Sequence, residues 1–450
     1  MNKGAARPTG RLYRKYVLRD FVYGARVVEC PQCGLRLKTH PVVQGSQCDC
    51  PRCGRVIVRN ELRPLAGVVS YALAALIVFV FAATEPFMSL HMLGVEQTVS
   101  LWSMVLGSIE WGRYFFAATL FALVFAAPLA YLFAVLYVYG CIFLRAFRPR
   151  ALTMTRLVTA MGPWVMTDIF FFAGIVTVVK VSALGSVTFH LSFYAMLIFS
   201  ALLLRVMVGF NEFWVYDRFA RIEGQDIRAR FAAEGDMLCP GCMHIQRLGA
   251  ARCAFCRSRL GDDRRRLVLS WAFLITGILL YVPANYLPIM ISSNPMATEV
   301  NAIFDGIVFM WQAGDRAIAA VIFIASIFIP FFKIGSLLFL LYCCHSRIAI
   351  NPVAAARLYR FIEWIGKWSM IDVFVIALLS NLFQSNLARV VPGPAAPYFT
   401  LVVISTMLAV HFFDTRWLWQ TAKGRSGAFL PNFERQGGGA EASARTRARA

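Results

Sequence analysis

The chain has 450 residues, 59% of them apolar and only 15% charged, with a mean hydropathy of +0.62. A soluble domain carries about 25% charged residues, so this composition excludes one and points to a polytopic membrane protein. Lys and Arg number 45 against 24 acids, a net charge of +21. Such an excess would suit a nucleic-acid partner, but its distribution along the chain is topological, and no nucleic-acid partner is expected.

Residues 1–66 are basic and carry Cys30-Pro-Gln-Cys33 and Cys50-Pro-Arg-Cys53. No cleavable signal peptide is expected in this region. Two Cys-x-x-Cys pairs at ribbon spacing place four thiolates around one tetrahedral metal, which predicts a zinc ribbon. Four sulfurs close the coordination shell and leave no place for water, so the site reads as structural rather than catalytic or redox. Cys48 reads as a spare thiol. A first group of apolar runs follows at 67–90, 114–144, 158–184 and 189–208, each long enough to cross the hydrocarbon core as a helix.

The same order then repeats. The insert 209–267 carries Cys239-Pro-Gly-Cys242 and Cys253-Ala-Phe-Cys256, a second predicted zinc ribbon. A second group of apolar runs lies at 268–291, 317–344, 364–384 and 398–414, and a basic tail, 421–450, is expected to be disordered. Pro86 matches Pro288 and Pro128 matches Pro330. Gly162-Pro-Trp164-Val-Met166-Thr-Asp168-Ile-Phe170 matches Gly366-Lys-Trp368-Ser-Met370-Ile-Asp372-Val-Phe374. The expected fold is an all-α polytopic membrane protein of two tandem four-helix repeats, 67–208 and 268–420, each preceded by a small cytoplasmic zinc ribbon. An even number of helices per repeat makes the repeats parallel, related by an axis near the membrane normal. Between the first two helices of each repeat, the aromatic runs near 100–111 and 301–311 read as interfacial helices or an aromatic belt.

With both termini in the cytoplasm, 40 of the 45 basic residues fall on one side, as the positive-inside rule requires. Nine of the twelve cysteines then lie in or beside the two ribbons, in a reducing compartment. Ionisable groups inside the apolar runs are costly and each needs a reason. The candidates are Asp168, Asp372 and Lys333, joined by polar positions such as Asn285, Asn381, Gln384, Ser405 and Thr406. A Lys333–Asp372 pair is expected in the second repeat. Tyr131 stands at the position equivalent to Lys333 in the first. These groups serve proton coupling or headgroup contact, or only join helices. Cys343-Cys344-His345 reads as packing.

Two four-cysteine ribbons, each followed by four helices, with the Gly-x-Trp-x-Met-x-Asp element, resemble the paraquat-inducible protein A family, which includes the lipophilic envelope-spanning tunnel protein A group. The resemblance covers about residues 25–420. It implies residence in the bacterial inner membrane and a periplasmic partner built of mammalian-cell-entry (MCE) domains, which forms a tunnel. It further implies a non-enzymatic role in loading or receiving phospholipids at the tunnel base. No Gly-x-x-x-x-Gly-Lys-Ser/Thr element is present, so ATP is not expected to bind this chain. The competing readings are a membrane scaffold that recruits partners through its ribbons, and a zinc-dependent or redox membrane enzyme.

Overall fold

The computed structural model describes residues between 26 and 448, with breaks of which 224–235 and 424–441 are the longest. It opens on two antiparallel hairpins, β1 (Arg26–Glu29) with β2 (Arg36–Thr39), and β3 (Ser46–Asp49) with β4 (Val56–Arg59). Each hairpin is turned by one Cys-x-x-Cys segment. Gly34 and Gly54 close these turns at φ +66° and +72°, a left-handed conformation that glycine adopts without a Cβ penalty. This is ribbon 1.

α1 (Pro64–Thr84) is apolar all round and starts with proline at its first position, where the missing N–H costs nothing. It stops before Pro86, because the residue preceding a proline is pushed out of the helical region. The apolar run read as helix to residue 90 therefore ends early. Its last residues form β5 (Pro86–Met92), paired with β6 (Val95–Ser100) and, on the other side, with β7 (Ser186–Phe189). Then follow α2 (Leu101–Glu110), α3 (Tyr114–Phe143), α4 (Pro149–Met161), α5 (Thr167–Val181), α6 (Leu191–Gly209) and the short α7 (Glu212–Ile222).

Ribbon 2 contributes β8 (Asp236–Leu238) and β9 (Ile245–Arg247). The second repeat runs through α8 (Asp263–Tyr286), β10 (Met290–Asn294), β11 (Ala297–Asn301) and α9 (Ile303–Gln312). It continues with α10 (316–345), α11 (Pro352–Trp368), α12 (Ile371–Leu382), β12 (Arg389–Pro392), α13 (Ala395–Phe412) and α14 (Arg416–Lys423). β11, β10 and β12 form a three-stranded antiparallel sheet with the same order as β6, β5 and β7. Two tail strands, Ala442–Ser443 (β13) and Arg445–Ala448 (β14), pair with β2 and β3, so the tail is not wholly without order.

Seven helices are long and apolar enough to cross a membrane among the described residues. They include one span, Pro149–Val178, that takes in both α4 and most of α5. Of the eight segments expected from the sequence, 364–384 divides instead. Its start belongs to the amphipathic α11, and its remainder is α12, only 12 residues long and buried along its whole length.

The repeats share internal details. α1 packs along α6 and α8 along α13, so first and fourth helices pair in both halves. α3 widens to i→i+5 hydrogen bonding over Phe121–Ala126 and α10 does so over Ile324–Phe328. Each widened turn directly precedes the proline pair member, Pro128 or Pro330, which lacks an N–H and crowds the preceding turn. The halves meet through α5 and α12. Phe170 and Phe374 cross edge to face at 5.4 Å, and Phe172 lies 5.4 Å from Trp368.

Gly393 sits where β12 enters α13 and donates its N–H to the Ile289 carbonyl at 2.7 Å. A Cβ there would fall inside contact distance of the Pro288 carbonyl, which is backbone and cannot swing away. Gly393→Ala is expected to destabilise the chain by about 1–3 kcal/mol or more through overpacking. Gly306→Ala, with nothing within 4 Å of the added carbon, is the control. Thermal unfolding of the two detergent-purified variants, compared with wild type, checks this.

Candidate metal centres and buried polar site

The hairpins bring four sulfurs together in each ribbon. In ribbon 1, Cys30 and Cys53 Sγ lie 3.5 Å apart and Cys33 and Cys50 Sγ 3.6 Å apart. In ribbon 2 the pairs are Cys239–Cys256 at 3.5 Å and Cys242–Cys253 at 3.6 Å. All eight are buried, and within each group the sulfurs lie within 4.8 Å of one another. A tetrahedral ion with metal–sulfur bonds of about 2.3 Å sets sulfur–sulfur edges of about 3.8 Å. The observed separations fit that shell and are far too long for disulfides. The donor set is closed, four thiolates and no site for water.

The turns are built to hold these sulfurs. Gly34 N–H donates to the Cys30 carbonyl at 2.9 Å and Gly54 N–H to the Cys50 carbonyl at 2.9 Å. In ribbon 2, Arg257 takes the left-handed position, φ +60°, and its N–H donates to the Cys253 carbonyl at 2.9 Å. Hydrogen bonding among the crowded thiols, from Cys30 first, pushes Cys50 down, while the bond with Cys30 pushes Cys33 up. Cys239 is likewise pushed down, chiefly by Cys242, and Cys242 up. Cys48, fully buried in β3, is not one of the four. Cys343 and Cys344 are buried and belong to no metal-ligand group among the described residues. His40, His244 and Gln384 lie outside the described residues.

Ribbon 1 docks on the second repeat. Arg360 of α11 donates from Nη1 to the Cys53 carbonyl at 3.0 Å and to Gln32 Oε1 at 3.5 Å. Thr415 donates from its hydroxyl to the Gln32 carbonyl at 2.8 Å. The Arg52 guanidinium stacks over Trp419 at 4.3 Å. Ribbon 2 lies against α7 of the first repeat, where burial, then the charge at Cys256, pushes the Tyr216 phenol up. Each ribbon thus precedes one repeat and rests on the closing helix of the other. Those helices are capped alike: Asn211 Oδ1 accepts from Trp214 N–H, and Asp414 Oδ1 accepts from Arg416 N–H. Burial alone would raise the Asp414 carboxyl, but the Arg416 guanidinium at 2.6 Å, with Arg266 at 3.6 Å, holds it below its usual range.

Asp168 and Asp372 both sit in the first turn of their helices, α5 and α12. There the unpaired N–H groups and the helix dipole favour a carboxylate, which explains why the repeated element ends in an acid at this point. Asp168 is half-buried and Asp372 buried. Lys333 of α10 is 1% exposed and its Nζ has no hydrogen-bond partner among the described residues. The Lys333–Asp372 pair expected from the sequence is therefore not made. Nζ instead lies over Gly366 of α11, where an added Cβ would stand 3.2 Å away. Ser369, three residues further along, also has a buried hydroxyl without a hydrogen-bond partner among the described residues. Thr406 is buried and donates to the Val403 carbonyl at 3.0 Å, and its methyl group presses against Gly277 of α8. Asn285 and Asn381 each donate to a carbonyl one turn back, Tyr281 and Ala377, at 2.8 Å. Gly366, Ser369, Arg360 and Gln32 escaped sequence reasoning. Only Gly366 left a signal, as the first residue of the repeated element.

Metal analysis of the purified chain is expected to return about two ions per molecule, falling to about one in Cys33→Ser, with release as pH falls because the thiolates must be protonated for the ion to leave. Asp414→Asn is expected to cost about 1–3 kcal/mol at pH 7. A depressed carboxyl stabilises above its unfolded pKa and loses that contribution as pH falls through the folded one, so the gap to wild type should close on acidification. Melting curves from pH 7 downwards check it.

The model of the family described as paraquat-inducible protein A matches residues 65–220 and again 267–423. These two matches coincide with the two structural repeats. The intermembrane transport protein PqiA of Escherichia coli (strain K12) is 31% identical over 408 residues, covering 88% of this chain and 96% of the relative. A probable intermembrane transport protein of Haemophilus influenzae is 28% identical over the same shares. The lipophilic envelope-spanning tunnel protein A of Escherichia coli (strain K12) is 29% identical, covering 89% of this chain and 92% of the relative. No solved structure matches. The doubled match, its span and the full-length likeness to these relatives establish that the chain belongs to the paraquat-inducible protein A family.

Proposed function

We propose that this chain is the inner-membrane subunit of a lipid transport system, with both termini and both ribbons in the cytoplasm. It loads or receives phospholipids at the base of a periplasmic tunnel formed by an MCE-domain partner. The three-stranded sheets β6-β5-β7 and β11-β10-β12 then lie at the periplasmic ends of the repeats, where such a partner would meet them. The names of the relatives, intermembrane transport and envelope-spanning tunnel, support the transport reading. The ribbons hold zinc, as the closed four-thiolate shell favours.

The observation that carries the reading is Lys333. An ammonium in an apolar, membrane-level environment costs several kcal/mol unless it is paired, hydrated or bound. Among the described residues Lys333 Nζ has no hydrogen-bond partner, and neither has the hydroxyl of Ser369, three residues after Gly366. Stability alone gives no reason to keep such a group. A proton taken up in a transport cycle, or a lipid headgroup that visits the site, does. Asp372, at the start of the neighbouring α12, and Thr406 of α13 supply further polar groups in the same repeat. Asp168 serves the corresponding place in the first repeat.

The scaffold reading loses ground because the knuckle of ribbon 1 is already occupied by Arg360, Thr415 and Trp419 of its own chain. The enzyme reading lacks an open coordination position.

Lys333→Met preserves the packing volume and removes the charge. It is expected to lower lipid transfer between membranes by about tenfold or more while leaving the melting temperature equal or higher. Transfer of labelled phospholipid from proteoliposomes holding the chain and its tunnel partner measures it. Unchanged transfer in a well-folded Lys333→Met chain would sink the reading.

A further inference from the structure

We infer that Arg360 is a positioning residue through which the metal state of ribbon 1 sets the placement of α11, and with it the Gly366 surface that covers Lys333. The inference rests on the reading that the ribbons hold metal.

The contacts that join ribbon 1 to the second repeat start from the two Cys-x-x-Cys turns themselves. Gln32 lies between Cys30 and Cys33, and is 1% exposed. Arg52 lies between Cys50 and Cys53. Cys53, a ligand, gives its carbonyl to Arg360 Nη1 at 3.0 Å, and Gln32 gives its carbonyl to the Thr415 hydroxyl at 2.8 Å. A backbone carbonyl inside such a turn points where the turn geometry sends it, and an ion bound by four sulfurs fixes that geometry. Without the ion, the crowded thiols have no common centre and the turns lose their definition. The acceptors for Arg360 and Thr415 then move or disappear.

Arg360 and Gly366 belong to one helix, α11 (Pro352–Trp368), six residues apart, about 9 Å along its axis. Lys333 Nζ and Cε lie 3.2 and 3.3 Å from the place of a Gly366 Cβ, so a small shift or rotation of α11 changes what covers the amine. The guanidinium is held between the two turns, through the Cys53 carbonyl and Gln32 Oε1, so it reads both halves of the ribbon at once. The first repeat has Arg156 at the equivalent position, but Tyr131 in place of Lys333. The coupling therefore has an endpoint only in the second repeat.

The test uses the full chain in lipid nanodiscs. Amide hydrogen exchange is followed in α11 for metal-loaded and chelator-treated wild type, and for metal-loaded Arg360→Ala, Arg360→Lys and Thr415→Val, with bound metal measured in each. Chelation is expected to speed exchange across 360–368 by about tenfold. Arg360→Ala is expected to give the same increase with both ions still bound. Arg360→Lys, which can still donate to the Cys53 carbonyl, is expected to recover most of the protection, an outcome that lost packing alone would not give. Thr415→Val, which leaves α11 itself untouched, is expected to give a smaller increase and covers the case in which Arg360→Ala does not fold. Metal bound in wild type, with α11 exchange indifferent to chelation and to Arg360→Ala, overturns the coupling alone. A chain that binds no metal overturns both the coupling and the metal reading beneath it.

Discussion

The contact between α5 and α12 is the constraint on which the membrane part depends. α12 is 12 residues long, about 18 Å, too short to cross a hydrocarbon core of about 30 Å by itself. In lipid, a helix that stops midway would expose terminal carbonyls that nothing could satisfy. α12 avoids this by being enclosed. α5 of the other repeat lies on one side, α13 on another, and α2, β6 and β12 close around its far end. All twelve side chains are buried. The halves cannot separate without uncovering it, so the duplicated chain behaves as one body rather than as two bundles joined by a linker.

That enclosure creates the polar problem of the second repeat. A buried helix N-terminus favours a negative charge through the helix dipole, and Asp372 stands in the first turn of α12. Lys333 Nζ, on the adjacent α10, has no hydrogen-bond partner among the described residues. Buried polar groups are normally satisfied, and those that are not are costly. The second repeat therefore stores an electrostatic cost that the first, with Tyr131 at the same position, does not. Duplication supplied two similar frames, and one of them was loaded with the expensive group.

The ribbons close the molecule from the other side. Each small four-cysteine knot is too small to hold a core of its own, and four clustered sulfurs stand at its centre instead. Because ribbon 1 rests on α11 and α14, and ribbon 2 on α7, the first and last parts of the chain are brought together. Asp414, held by Arg416 and Arg266, fixes the turn between α13 and α14 on which this docking relies.

Much of this was written in the sequence. The two groups of four cysteines follow from spacing alone, because two tight Cys-x-x-Cys turns bring four sulfurs to separations that suit a tetrahedral ion. The doubled frame follows from Pro86 and Pro288, Pro128 and Pro330, and the paired Gly-x-Trp-x-Met-x-Asp elements. Length and hydropathy locate the long spans, because the bilayer imposes a fixed thickness. Four things needed the tertiary structure. The sheets around β5 and β10 were hidden in apolar runs, since a buried strand and a buried helix have the same composition over a few residues. The shortness of α12 was hidden for the same reason, because its neighbours, not lipid, supply its apolar surroundings. Lys333 faces Gly366 rather than Asp372, and ribbon 1 sits on the distant α11. Both depend on which helix faces which, across 33 residues for Lys333 and Gly366 and across 307 for Cys53 and Arg360, and local pattern carries no information about that.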